Sequence, residues 1–363
     1  VVHILALASF LGWFFIGNVE WTDALLIAIA VLIITCPCAL GLAVPVVQVL
    51  ASNRLFRRGI LLKSGDALEK LSMVDTIVFD KTGTLTIGKP RLINTVPRDV
   101  LAKAARMAGQ SKHPLSRAIA DAYNGTIDPL PITETAGQGL EANVDGQIWR
   151  LGRRSFCGID DAATDDAMEL WFVINGQPPV RFIFEDALRE DTVDIIKQLK
   201  AQGFRLALFS GDRESVAQSV GTTLMLDETK GEMTPKEKHD AITAMQDAGR
   251  HVLYVGDGLN DAAALSVASV AMSPSTAMDI SQNAAALVFQ GSKLSPVLQA
   301  ITVARQSQKL VKQNFVLALV YNLFAIPLAV AGFVTPLIAA LAMSGSSIVV
   351  IGNALRLNIS KDS

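Results

Sequence analysis

The 363-residue sequence has little of what a disulfide-stapled, nucleic-acid-binding or secreted protein needs. Three cysteines are too few for a disulfide framework. The 32 basic residues are offset by 34 acidic ones, so no basic surface is set aside for nucleic acid. Val1 already lies in an apolar run with no basic leader ahead of it, so no signal peptide is expected. The chain does not start with Met and contains no Thr-Gly-Glu string and no Cys-x-x-Cys pair. A fragment of a longer protein is the expectation.

What is abundant is apolar. Half of the residues are hydrophobic and mean hydropathy is +0.38, too high for an ordinary soluble enzyme. The apolar residues collect at the two ends, in runs over 1–17, 24–50, about 313–331 and about 337–355. Each approaches the ~20 residues that span a bilayer as a helix. Basic residues (Arg54, Arg57, Arg58, Lys63; Lys309, Lys312; Arg356, Lys361) flank the long hydrophilic stretches, and the short turns at 18–23 and 332–336 carry no Lys or Arg. Basic flanks mark the cytoplasmic side. Four spans with a cytoplasmic middle are therefore predicted, with the lipid bilayer as a partner.

The middle is organised around Asp80, in Val78-Phe79-Asp80-Lys81-Thr82-Gly83-Thr84-Leu85-Thr86. Thr76–Phe79 reads as a short buried strand, and Gly83 lets the chain reverse. A carboxylate at the C-terminal end of a parallel strand is placed for chemistry, and it can attack phosphorus to form an aspartyl-phosphate. Lys81 and the Thr82 and Thr84 hydroxyls can hold the phosphoryl group. Two more apolar strands end in acidic, glycine-containing loops, at Ser210-Gly211-Asp212 and at Gly256-Asp257-Gly258-Leu259-Asn260-Asp261. Three such loops at one sheet edge suggest a Mg²⁺-phosphate site. Asp80 and Asp257 would supply carboxylates and Thr82 a backbone carbonyl. Lys236 is the candidate to neutralise phosphate charge, and Thr82, Ser210 and Gly211 can donate hydrogen bonds to it.

Residues 89–184 differ in texture. Helical stretches near 98–109 and 114–123 precede short strands with hairpin turns at Asp145-Gly146 and Asn175-Gly176. Pro114 follows His113 at a helix start, and Gly137 and Gly139 would let backbone approach a flat base. In the second apolar run, Cys36-Pro37-Cys38 interrupts the helix. A broken helix in lipid is tolerated where it lines a site, and two thiolates suit a soft ion such as Cu(I). The alternative is a pair of apolar cysteines flanking a kink. Tyr321, Asn322, Met343, Ser346 and Ser347 add polar and thioether groups to the later runs, and no carboxylate or Lys lies inside either one. Met343 is equally compatible with ordinary packing.

DKTGTLT, the Ser-Gly-Asp at 210–212, Thr234-Pro235-Lys236-Glu237-Lys238 and Gly256–Asp261 together resemble the P-type ATPases of the haloacid-dehalogenase-like fold group. The resemblance implies membrane helices plus a discontinuous, Rossmannoid α/β phosphorylation domain with an inserted α+β nucleotide-binding domain. The implied boundaries are 1–53 for two transmembrane helices, 54–88 and 185–300 for the phosphorylation domain, 89–184 for the insertion, and 309–356 for two further helices. By the same likeness Asp80 takes the γ-phosphoryl of ATP, Asp257 binds Mg²⁺, and Asn260 and Asp261 support the site. His113-Pro114 and Gly137-x-Gly139 resemble the ATP-binding features of the heavy-metal-transporting members. Ala108 stands where that family often has Glu, which implies a looser adenine contact.

Cys36-Pro37-Cys38, Asn314, Tyr321-Asn322 and Met343-x-x-Ser346-Ser347 resemble the copper-transporting subgroup. This likeness implies Cu⁺ export by ATP in a bacterial inner membrane, with copper arriving from a soluble chaperone and Cys36, Cys38, Tyr321, Asn322, Met343 and Ser347 on the copper path. The stretch from Val46 to Leu71 resembles the branch that supplies copper to cbb3-type oxidase assembly. The family's actuator domain and N-terminal half are expected outside this sequence. A Zn²⁺, Cd²⁺ or Co²⁺ pump and a catalytically idle copper-binding fragment remain the alternatives. Cys157 is expected to be structural.

Overall fold

The computed structural model describes residues 2–36, 38–135, 137–159, 167–257, 261–276 and 279–359. The chain divides into two compact units, Val1–Met73 with Pro296–Ser363, and Val74–Ser295.

In the second unit, strand Thr76–Phe79 is buried along its whole length. Its β-branched and aromatic residues suit a strand covered on both faces. It pairs in parallel with Val252–Val255 on one side and Arg205–Phe209 on the other, with Val78 opposite Tyr254 and Ala207. Val270–Pro274 and Leu287–Phe289 extend the sheet beyond Val252–Val255, and Glu228–Lys230 extends it beyond Arg205–Phe209, all in parallel. Parallel strands deliver their carboxyl ends to one edge. That edge receives Asp80, Ser210 and the loop after Val255.

The insertion is a second, antiparallel sheet. Its strands run in the order Thr86–Leu92, Val180–Leu188, Met168–Ile174, Gln147–Gly152, Gly139–Val144, Thr133–Thr135. Asp145 and Gly146 take positive φ values of 51° and 81° in the two-residue turn between Val144 and Gln147, the backbone that a tight hairpin requires. Helices Arg98–Ala108 and Pro114–Ala122 cover the sheet, burying Ala105, Met107 and Ile119 against Leu140, Trp149 and Phe172. Trp149 and Phe172 meet edge to face with ring centroids 6.0 Å apart. The two helices and the first hairpin lie where the sequence predicts them.

The first unit is helical. Helix Cys38–Phe56 runs past the expected boundary at residue 53. Three stretches are long and apolar enough to cross a membrane: Trp21–Phe56, Ser295–Val330 and Pro336–Asn358. The first run forms only Val2–Phe15, 14 residues, about 21 Å at 1.5 Å per residue. Among the described residues the expectation of four full spans is therefore met for three. The third run is the far end of a 36-residue helix that starts at Ser295, because Val297, Ile301, Ala304 and Val311 keep burying one face ahead of the apolar stretch.

Candidate active site

Asp80 follows the central strand and is 7% exposed. Its Oδ1 accepts a hydrogen bond from Lys238 Nζ at 2.5 Å, and the same ammonium donates to Asp261 Oδ1 at 2.7 Å. Tyr254 Oη, from the adjacent strand, also donates to Asp261 Oδ1 at 2.7 Å. Asp80, Asp257 and Asp261 each present a carboxylate oxygen within 4.8 Å of the others. The three carboxylates outnumber the single lysine among them. Burial and the neighbouring Asp261 push the Asp80 carboxyl up to about 7, against the pull of Lys238. Burial and Asp261 likewise push Asp257 up to about 6. Burial opposes the charge on Lys238, but Asp80 and Asp261 together outweigh it and raise its pKa. An uncompensated cluster of carboxylate oxygens is the donor set that a hard divalent cation takes, so these residues fit Mg²⁺.

The turn after Asp80 is held from below. Gly83 has φ 71°, and a Cβ there would lie 1.6 Å from Asp257 Oδ2. Only glycine permits that approach. Arg189, 4% exposed, donates Nη2–H to Gly83 O at 2.6 Å and Nε–H to Thr84 O at 2.7 Å. Thr86 Oγ1 accepts from Gly83 N at 3.1 Å and donates to Asp186 Oδ2 at 2.6 Å. Thr82 is exposed at the rim with extended backbone. Thr84 is fully buried, and its Oγ1 has no hydrogen-bond partner among the described residues.

Lys81 is buried and paired with Asp212. Ser210 Oγ accepts from Asp212 N and lies 3.1 Å from Asp212 Oδ2, which closes the Ser210-Gly211-Asp212 loop on itself beside Lys81. Asn260 lies outside the described residues.

One predicted residue is displaced. Lys238, not Lys236, reaches Asp80, and Lys236 is exposed. The reason is helix register. Thr234 caps the helix Pro235–Asp247 in a capping box with Glu237. That start turns Lys238 inward with Ile242, one turn later, and aims Lys236 at solvent with Asp240. The i, i+4, i+7 spacing that puts Lys238 on the face of the apolar Ile242 and Met245 was the available signal. Tyr254 and Arg189 were also missed as site residues, the first because it reads as plain strand core.

In the insertion, His113 N-caps its helix, with Nδ1 accepting from Leu115 N at 3.3 Å. Ser111, two residues earlier, donates to Glu134 Oε1 at 3.0 Å. The strand Thr133–Thr135 next to Gly137 and Gly139 is thereby tied to the His113-Pro114 loop. Gly137 has φ 72° with open space around it, whereas a Cβ on Gly139 would meet Leu151 O at 2.6 Å. Ala108 is wholly buried. Cys157 is buried too, with Sγ donating to Trp171 O at 3.2 Å, as a structural cysteine would be.

The haloacid dehalogenase-like hydrolase family matches residues 74–269, more than half of the sequence. The chain belongs to this family. It is 50% identical to the nitrogen fixation protein FixI of Rhizobium leguminosarum bv. viciae, over 99% of this chain and 48% of that protein. It is 35% identical to copper-transporting ATPase 1 of Rhizobium meliloti (strain 1021), over 98% of this chain and 47% of that one. The crystal structure of a zinc-transporting PIB-type ATPase in its E2·Pi state superposes with a TM-score of 0.80 at 28% identity, covering 98% of this chain and 62% of that chain. The expected likeness to heavy-metal-transporting P-type ATPases is borne out. The chain spans about half the length of the curated relatives it matches.

In the helical unit, the predicted metal-path residues fall in the layer between two apolar clusters. Ala30, Ile34, Ala329 and Ala339 meet in one, and Ala39, Ala43, Ala318 and Val350 in the other. Cys36 and Cys38 fall between Ile34 and Ala39, Tyr321 and Asn322 between Ala318 and Ala329, and Met343, Ser346 and Ser347 between Ala339 and Val350. Further along, Arg54 Nη1 donates to Gln306 Oε1 at 2.9 Å and to Leu357 O, which fixes the relative direction of the three helices. The two sulfurs are 2.7 Å apart. Tyr321 Oη and Asn322 Oδ1 are buried with no hydrogen-bond partner among the described residues. Unpaired buried polar atoms are costly. Pro37 lies outside the described residues.

Proposed function

We propose that this chain is the phosphorylation, nucleotide-binding and ion-path portion of an ATP-driven metal exporter whose cargo is Cu(I). One observation carries the reading: a buried carboxylate at the end of the central strand, held by Lys238 and facing Asp257 and Asp261. An oxygen of Asp80 bonds to the γ-phosphorus of ATP as the bond to the bridging oxygen breaks, and ADP leaves with that oxygen. Lys238 opposes the burial that would otherwise keep Asp80 protonated, and Asp261 with Tyr254 holds Lys238 in place. Arg189 fixes the Gly83–Thr84 backbone beside the reacting oxygen. Lys81, Thr82, Thr84, Ser210 and Gly211 are assigned to the transferred phosphoryl group, and Asp212 to orienting Lys81. Mg²⁺, held by Asp80, Asp257 and the Thr82 carbonyl, would neutralise phosphate charge. His113, Pro114, Gly137 and Gly139 are assigned to the nucleotide.

Cargo chemistry favours Cu(I) over Zn²⁺. The layer offers two thiols, a thioether, a phenol and an amide, and no carboxylate or imidazole lies on either later helix; soft donors suit a monovalent soft ion, whereas Zn²⁺ sites usually recruit His or a carboxylate. The zinc-transporting structural neighbour keeps Zn²⁺ as the second reading. The proposed setting is a bacterial inner membrane with the catalytic unit cytoplasmic and copper delivered by a soluble chaperone.

Labelling with [γ-³²P]ATP tests the catalytic half: an acid-stable, hydroxylamine-sensitive phosphoprotein is expected, absent in Asp80→Asn. The cargo is tested in the full-length protein by ATPase activity with Cu(I), Ag(I) and Zn(II) beside Cys36→Ser. Stimulation by Zn(II) alone would overturn the copper assignment.

A further inference from the structure

The helical unit contains a second feature that the transport reading does not use. A cavity of about 850 Å³ opens between the Ser295–Val330 and Pro336–Ile359 helices, beside the end of the Ala67–Met73 helix. Arg305, Lys309 and Lys312 line it from the first helix and Arg356 from the second, and no Asp or Glu is among the lining residues. The spacing of Arg305, Lys309, Lys312 and Val316 puts all four on one helical face. Among the described residues neither Lys309 nor Lys312 has an ion-pair partner, and Arg356 Nη1 is held by Asn353 Oδ1 at 3.0 Å.

The floor of the same cavity is apolar. Val316 and Leu317 line it and are 58% and 40% exposed. They continue into exposed Leu319, Val320, Leu323 and Phe324 along the helix. The cavity therefore changes from four cations to bare hydrocarbon within two turns, at the point where the membrane-spanning run begins. A free anion would be served by the cations alone and gains nothing from the apolar wall. An acyl chain would be served by the wall alone. An amphiphile with a phosphate head uses both.

We infer that this cavity binds the headgroup of an anionic glycerophospholipid, with Lys309, Lys312, Arg305 and Arg356 around the phosphate and the acyl chains lying along Val316 and Leu317. The wall supplies area for the tails, and the unpaired lysines supply the charge. This goes beyond the transport reading and rests only on the membrane placement of the helices.

The test is native mass spectrometry of the purified full-length protein in detergent doped with phosphatidylglycerol, or separately with phosphatidylcholine. Retained phosphatidylglycerol and no retained phosphatidylcholine are expected. The Lys309→Gln/Lys312→Gln variant should weaken phosphatidylglycerol retention about 30-fold, two charges at the strength of a basic residue near an anionic surface. The Arg57→Gln/Arg58→Gln variant removes the same charge from the other basic flank and should change retention less than about 2-fold. Equal losses in the two variants would mean diffuse surface attraction and overturn the site. So would inorganic phosphate bound as tightly as the lipid, which would make the apolar wall irrelevant. Circular dichroism of both variants separates lost binding from lost folding.

Discussion

The Cβ position of Gly83 lies 1.6 Å from Oδ2 of Asp257. The two residues come from turns after different strands, so the backbone at Gly83 is the wall against which the Asp257 carboxylate is packed. Gly83→Ala would add a methyl where that oxygen sits and impose φ 71° on a residue with a side chain. Phosphorylation of Asp80 is expected to fall at least about 100-fold, since a 1 Å misplacement costs that much. Phosphoenzyme yield measures this, and an unchanged thermal midpoint would place the loss in geometry rather than folding.

Two neighbouring lysines should behave very differently. Lys238→Met leaves Asp80 and Asp261 buried without their shared cation, and breaking a buried pair costs about 3–5 kcal/mol. Lys236 is exposed, and Lys236→Met should stay within about 0.5 kcal/mol of the parent. Urea unfolding of both variants checks the difference, and phosphoenzyme formation should be lost only in Lys238→Met.

This contrast also marks what was legible in the sequence. Asp80 was readable because a β-branched strand, an acid and a turn glycine follow one another locally. The choice between Lys236 and Lys238 depends on where a helix starts, and a capping box sets that. The layer of soft donors was readable residue by residue. Its bracketing by two apolar clusters was not, because Ala39 and Ala318 are distant in sequence and unremarkable in type. The Ser111–Glu134 contact joins segments whose pairing only the folded sheet reveals.

Cation dependence should follow pH. Without a metal, Asp80 sits at about 7 and Asp257 at about 6, above the usual carboxylate value of about 3.9. A raised carboxyl pKa means that the native state holds its proton more tightly than the unfolded chain. The resulting stability is present below about pH 4 and is lost as pH rises through 6 and then 7. Mg²⁺ must displace those protons, so its apparent affinity rises over the same window. The Mg²⁺-induced rise in Tm is expected to be large at about pH 8 and nearly gone at about pH 5. Asp257→Asn should remove most of it at every pH.

The nucleotide insertion offers a test against intuition. Ala108 is wholly buried among the helix–sheet core, so restoring the family's acid there with Ala108→Glu would bury an unpaired charge. A loss of about 3–5 kcal/mol is expected, measured by chemical unfolding, with no gain in ATP affinity. Glu134 already brings a carboxylate to the His113 loop through Ser111. Glu134→Gln should weaken ATP binding several-fold in calorimetry while leaving the thermal midpoint in place.

The cluster nearest the cysteines on the carboxyl side is made of Ala39, Ala43, Ala318 and Val350. Alanine has no rotamers to rearrange, and small side chains let helix backbones approach closely and slide. Under the proposed transport reading, such a cluster would close over an ion at the cysteines by shape rather than by charge, and its short side chains would leave little rotamer entropy at stake when the helices part.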